Sequence, residues 1–277
     1  MKINTQAVDY RDGEVSLTGL FVWDTTLAGK RAGAMVVHGG AGLDDHAKDR
    51  ARRLAELGYV VFACDLYGQG VAGDRQRVMA RITELRSDPA KLVQRAAAGI
   101  EVLRSHPLVD GHIAAVGYCF GGMTVLELAR SGADLMGVVS VHGSLDTRRP
   151  SQPDAVKAKI LVCHGALDPH VPMTHVNAFV EEMNTAGADW QLLVYGNAMH
   201  GFTHESGPKL PGVEYHALTD ARSSQAIQSF FAELFAAPKG EKTLSRNGPR
   251  NNPPRPFFGN NQKKGRRRIR RPFPALC

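Results

Sequence analysis

Long apolar runs are missing from this sequence. No stretch of about 18 apolar residues occurs, so no membrane-spanning helix is expected. Cysteine is scarce. The four, Cys64, Cys119, Cys163 and Cys277, lie far apart, and there is no CxxC pair. That argues against a disulfide scaffold and against a cysteine-rich zinc site. The first ten residues are polar and lack the apolar segment of a secretory signal, so the cytoplasm is the expected location. The glycine cluster at 39–42 is not followed by the G-x-x-x-x-G-K-S/T pattern, which makes a phosphate-binding loop a weak reading. No repeat at solenoid spacing is present.

What is there suits a globular enzyme. The 277 residues are 43% hydrophobic and include 29 glycines spread along the chain. One α/β domain of ordinary size would bury a sizeable core. The formal charge of +7 is unevenly divided. Residues 239–277 hold 12 Lys/Arg against one acid, Glu241, whereas the preceding 238 residues are net −4. Two segments are therefore expected: a mildly acidic domain over 1–238 and a basic tail over 239–277. The tail is dominated by proline, asparagine and arginine and is too charged to offset its ordering entropy, so disorder is expected there. It could bind nucleic acid or another polyanion non-specifically. The blander reading is a solvated appendage, or an aberrant C-terminus.

Within the domain, short apolar runs alternate with longer amphipathic segments. Strands are expected at 34–38, 60–65, 113–117, 137–141, 160–165 and 190–195. Helices are expected at 44–57, 89–104, 121–130, 172–185 and 220–235. Strands that are apolar throughout and alternate with helices indicate a parallel sheet covered on both faces. The fold class is α/β, a mostly parallel, doubly wound sheet of the α/β-hydrolase kind. Residues 14–23 alternate in polarity and are expected to add an antiparallel edge strand.

The most informative residues are Gly117-Tyr118-Cys119-Phe120-Gly121, between an apolar strand and a helix. This is G-x-C-x-G, a cysteine version of the nucleophile elbow. The turn is so tight that side chains at the two glycine positions would collide. A cysteine there is lifted clear of the sheet, at a helix N-terminus whose dipole favours a thiolate. In this fold the nucleophile is followed along the chain by an acid and then a histidine. Asp168 follows the strand ending at Gly165, and His200 lies on a loop after the strand ending at Tyr195. Asp146 and Asp154 compete for the acid, and His204 for the base. An oxyanion hole needs the N–H of the residue after the nucleophile, Phe120, and one from an earlier strand's loop, where Gly40 is the first choice and Gly39 the second.

These residues resemble the dienelactone hydrolase family, the carboxymethylenebutenolidases and their relatives. The resemblance lies in RRLAELGYVVFACDLYG, VGYCFGGMTVLELA, LVCHGALDPHVP and AMHGF, and spans roughly residues 12–236. It implies an α/β-hydrolase fold, a Cys-Asp-His triad and no cofactor, in a cysteine-dependent hydrolase of small esters or lactones. Members closest to the namesake carry a glutamate where this chain has Gly39, so the thiolate here would form by direct pairing with His200. They also carry an arginine, which holds the substrate carboxylate, where this chain has His204. Arg77 and Arg81 fall where another substrate arginine is expected. A different or less acidic substrate follows. Alternatives are a thioesterase or carbon–carbon hydrolase on the same scaffold, or a non-catalytic module with a polyanion-binding tail.

Each candidate has a plainer reading. Cys64 and Cys163 sit inside apolar strands and read as core residues. His38, His142 and His164 end strands and could line a pocket, though structural histidines are commoner. Tyr118 and Phe120 could contact substrate or simply pack. His200 and His204 are spaced i,i+4 as in a helical zinc site, but the glutamate of that motif is absent and glycine follows His200, so no metal is expected.

Overall fold

The computed structural model describes residues 1–207 and 210–236. The expected basic tail, 239–277, lies outside the described residues. Eight strands and six helices follow in the order β1 (Ile3–Asp12), β2 (Val15–Asp24), β3 (Arg31–Val37), α1 (Asp45–Glu56), β4 (Val60–Cys64), α2 (Arg75–Ser87), α3 (Pro89–Arg104), β5 (Val109–Tyr118), α4 (Phe120–Arg130), β6 (Gly137–Val141), β7 (Lys159–Gly165), α5 (Met173–Thr185), β8 (Trp190–Tyr195) and α6 (Ala217–Phe235).

The eight strands form one sheet in the order β1-β2-β4-β3-β5-β6-β7-β8. Strands β3 to β8 pair in parallel, as their unbroken apolar runs require. Strand β2 pairs antiparallel with both β4 and β1. The expectation for residues 14–23 is corrected here: the strand is antiparallel, but it is not the edge. Strand β1, reached through a hairpin at Gly13 with φ +56°, takes the edge position. Most of its residues are polar and exposed, so it carries little apolar signal. Helix α2 was also not expected, for a similar reason: only Val78 and Leu85 of it are buried.

Two apolar layers flank the sheet. One packs under α2, α3, α4 and α5 and includes Leu85, Leu92, Val125 and Phe179. The other packs under α1 and α6 and includes Leu54, Ile227 and Phe231. Side-chain caps fix where the helices start. Asp44, Asp74 and Asp88 each accept a hydrogen bond from the backbone N–H three residues on, at 3.0, 3.1 and 3.0 Å. This layering leaves the carboxyl ends of the parallel strands gathered along one rim, the usual location of a site in an open α/β sheet.

Candidate active site

Strand β5 runs into α4 through Cys119, whose φ of 54° and ψ of −112° are unusual for a residue with a side chain. Such a conformation costs on the order of 1–3 kcal/mol and persists only where its surroundings fix it. The glycines explain how it is accommodated. A Cβ on Gly117 would run into the Gly121 carbonyl, and one on Gly121 into the Val37 carbonyl at the end of β3. With both absent, the turn closes and Cys119 stands at the first turn of α4.

Three side chains from separate loops meet at this point. His200 Nε2 lies 3.2 Å from Cys119 Sγ, and His200 Nδ1 lies 2.8 Å from Asp168 Oδ2. Asp168 is buried, and its other oxygen accepts the backbone N–H groups of His170 at 2.8 Å and Val171 at 3.1 Å. The loops bearing Asp168 and His200 are pressed together: Leu167 N–H donates to the Ala198 carbonyl at 3.0 Å, and a Cβ on Gly165 would stand only 2.5 Å from that oxygen. Neither rival acid reaches a histidine. Asp146 is paired with Arg86 at 3.3 Å, and Asp154 is exposed on a turn.

The charges follow from this geometry. Burial alone would push the Cys119 thiol up, but the hydrogen bond and positive charge of His200 outweigh it and hold the thiol below its ordinary range. The backbone N–H groups of Phe120 and Gly40 also stand at the sulfur and act in the same direction. Burial pulls His200 down, whereas its bonds to Asp168 and Cys119 raise it to about 10. Asp168 is lowered in spite of its burial, chiefly by His200. All three shifts act in the direction of a thiolate beside an imidazolium backed by a carboxylate. Cys64 and Cys163 are fully buried without such partners, and burial pushes Cys64 above the range of an accessible thiol and Cys163 up to about 12.

The loop after β3 is braced from beneath. His38 Nε2 accepts the Leu66 N–H at 3.0 Å, which leaves Nδ1–H to donate to the Gly39 carbonyl at 2.7 Å. The Tyr67 hydroxyl is 3.2 Å from the same carbonyl and 3.3 Å from that of Gly40. With its carbonyls drawn toward Tyr67, the loop turns the Gly40 N–H to the sulfur. Sequence reasoning did not single out Tyr67, although it lies within the string DLYG.

The remaining candidates separate into near and far. A Cβ on Gly39 would lie 3.5 Å from Cys119 Cβ and 3.8 Å from His204 Nε2, so Gly39 adjoins Cys119 and His204 adjoins Gly39. His204 is stacked on His46, ring centroids 3.6 Å apart. Tyr118 is corrected: strand alternation sends its ring to the α1/α6 side of the sheet, where it is buried with the Arg50 guanidinium 5.8 Å from its centroid. Arg77 is exposed at the start of α2 and donates to the Gly70 carbonyl at 2.6 Å. Arg81 is engaged by Glu84 at 2.5 Å. His142, offered by the sequence as a strand-end residue that could line a pocket, has its ring centroid 5.4 Å from that of His200. His46 and Thr203, bonded to each other at 3.0 Å, are further residues that sequence reasoning did not place in the site.

The profile described as the dienelactone hydrolase family matches residues 21–235. An uncharacterized protein of Caenorhabditis elegans is 36% identical over 151 residues, 53% of this chain and 96% of its own. A Yersinia pestis protein provisionally named carboxymethylenebutenolidase is 27% identical, covering 73% of this chain and 79% of its own. Among solved structures, a dienelactone hydrolase-like promiscuous phosphotriesterase from metagenomic libraries is 39% identical with a TM-score of 0.78, covering 85% of this chain and all of its own.

Proposed function

The chain belongs to the dienelactone hydrolase family, and from that premise we propose that it hydrolyses small esters or lactones through a thioester on Cys119, with His200 as acid and base and Asp168 as its anchor. The observation that carries this reading is the continuous hydrogen-bonded series from Asp168 through His200 to Cys119, at 2.8 and 3.2 Å, with two backbone donors at the sulfur.

The thiolate attacks the carbonyl carbon, a C–S bond forms, and the π electrons move to oxygen. The N–H groups of Phe120 and Gly40 stabilise that oxyanion, and each such donor is worth about 10²–10³ in rate. When the adduct collapses, the C–O bond breaks and the leaving oxygen takes the proton of His200. Acylation removes the thiolate charge that helped raise His200, so the imidazole becomes a more effective neutral base. It takes a proton from water, the hydroxide attacks the thioester, and the thiolate departs to re-form the ion pair. Asp168 holds the imidazole in one tautomer throughout. A thiolate leaves more readily than an alkoxide, so the first adduct of a plain alkyl ester tends to revert. Enol lactones and aryl esters, whose leaving oxygens carry charge well, are the favoured substrates.

The similarity to a promiscuous phosphotriesterase supports a second substrate class, organophosphate triesters with aryl leaving groups. Wild type, Cys119→Ala and Cys119→Ser are to be compared on p-nitrophenyl acetate, a dienelactone and an aryl phosphotriester. Turnover by wild type, loss of at least a hundredfold in Cys119→Ala, and persistence of turnover in a chain ending at 238 are expected. Equal rates in wild type and Cys119→Ala would remove Cys119 from the chemistry.

A further inference from the structure

The amide of the nucleophile itself is held by a group that the chemistry above leaves unused. Cys119 N–H is shared between the Val141 carbonyl at 3.0 Å and His142 Nδ1 at 3.2 Å. His142 follows β6, is fully buried, and has a φ of 41°. Its Nε2 lies 2.8 Å from the hydroxyl of Thr203, which is 1% exposed and three residues beyond His200. The same hydroxyl is 3.0 Å from His46 Nε2, which accepts from Arg50 Nε at 3.2 Å. Arg50 is in turn fixed by the Thr203 carbonyl at 2.7 Å and by Asp220 at 2.9 Å.

One proton arrangement gives every contact of this series a donor and an acceptor, with His46 Nε2 shared by two donors and its Nδ1 without a partner among the described residues. Both its ends are groups that can only donate: the Cys119 amide and the Arg50 guanidinium. His142 Nδ1 must therefore be bare, its Nε2–H donates to Thr203, and the Thr203 hydroxyl donates to His46 Nε2. The series joins the strained elbow, at Cys119, to Thr203 on the loop that carries His200, and ends on Arg50 of α1.

We propose that His142 and Thr203 are positioning residues that hold the Cys119 sulfur at bonding distance from His200, with Thr203 fixing the His142 tautomer so that its bare nitrogen receives the nucleophile's amide. This deepens the functional reading above and rests on it. Tyr118, Phe202, His200 and His204 face the His142 ring, at centroid distances between 5.0 and 6.1 Å. Burial first, then the positive charge of His200, holds the His142 pKa well below its ordinary value.

Thr203→Val removes the hydroxyl and keeps the shape. Either the His142 Nε2–H is left without a partner, or the proton moves to Nδ1 and confronts the Cys119 N–H. A buried donor left unpaired corresponds to about a tenfold effect or more. The full-length chain, Thr203→Val and Thr203→Ser are to be compared in p-nitrophenyl acetate turnover and in the pH dependence of Cys119 alkylation by iodoacetamide. In Thr203→Val, kcat is expected to fall about tenfold with KM unchanged, and the alkylation midpoint to rise by about one pH unit; Thr203→Ser restores most of both. A Thr203→Val chain with the wild-type midpoint and kcat, or a Thr203→Ser chain as impaired as the valine, would overturn the proposal. If the valine variant does not fold, long-range ¹H–¹⁵N NMR on wild type decides: the proposal requires His142 protonated at Nε2 and bare at Nδ1, and the other tautomer contradicts it. Wild type without Cys119-dependent turnover would instead refute the functional reading, while the midpoint and tautomer still judge this one.

Discussion

In the proposed cycle His200 must be charged when the leaving oxygen departs and neutral when water is activated. Its two partners make that possible: Asp168 is permanent, whereas the Cys119 charge exists only before acylation. The pH dependence follows with a definite sign. The Cys119 pKa is lowered, so the thiolate persists below the ordinary thiol range and is lost as pH falls through the lowered value. The His200 pKa is raised to about 10, so the imidazolium is lost only as pH rises through that value. Iodoacetamide should therefore alkylate Cys119 with a midpoint below the free-thiol value of about 8.5. His200→Ala removes the main lowering influence and leaves burial, so its midpoint should move above that value; no movement would contradict the ion pair. The proposed triad was legible in the sequence because each member follows a recognisable strand. Tyr67 and Thr203 were not, and of His142 only its place at a strand end was, because what these residues do depends on partners met through space: His142 and Thr203 are 61 positions apart. Tyr118 misled because adjacency along a strand puts neighbouring side chains on opposite faces.

At the scale of the element, the elbow depends on the absence of atoms. Gly117→Ala would place a methyl group against the Gly121 backbone, where neither side can yield without opening the turn. A cost on the order of 3 kcal/mol or more and loss of turnover are expected. Gly196→Ala is the control, with open space around its Cβ and no left-handed φ, and should leave the melting temperature unchanged. Thermal unfolding followed by circular dichroism separates the two; equal melting temperatures would show that crowding does not shape the elbow. Legibility at this scale followed the apolar runs in the sequence: β8 (WQLLVY) was legible although none of its residues is fully buried. Strand β8 lies at 190–195 as read from the sequence, and α3 at 89–104, where Asp88 and Pro89 mark the start of a helix. Strand β1 and helix α2 escaped because each buries too little to impose a periodic apolar pattern.

For the molecule as a whole, the alternation of fully apolar strands with helices was enough to specify a parallel sheet with both faces covered. The order of strands along that sheet was not in the pattern, and neither was the β1–β2 hairpin that extends it. Among the described residues no helix is long and apolar enough to cross a membrane. The central claim concerns one covalent bond, between substrate acyl carbon and Cys119 sulfur. Rapid acid quenching during p-nitrophenyl acetate turnover, followed by proteolysis and peptide mass spectrometry, locates that acyl group directly. The account predicts an acetyl group on the peptide containing Cys119, released by hydroxylamine and missing in Cys119→Ala. Turnover with the acetyl group on another residue, or undiminished turnover in Cys119→Ala, would contradict it.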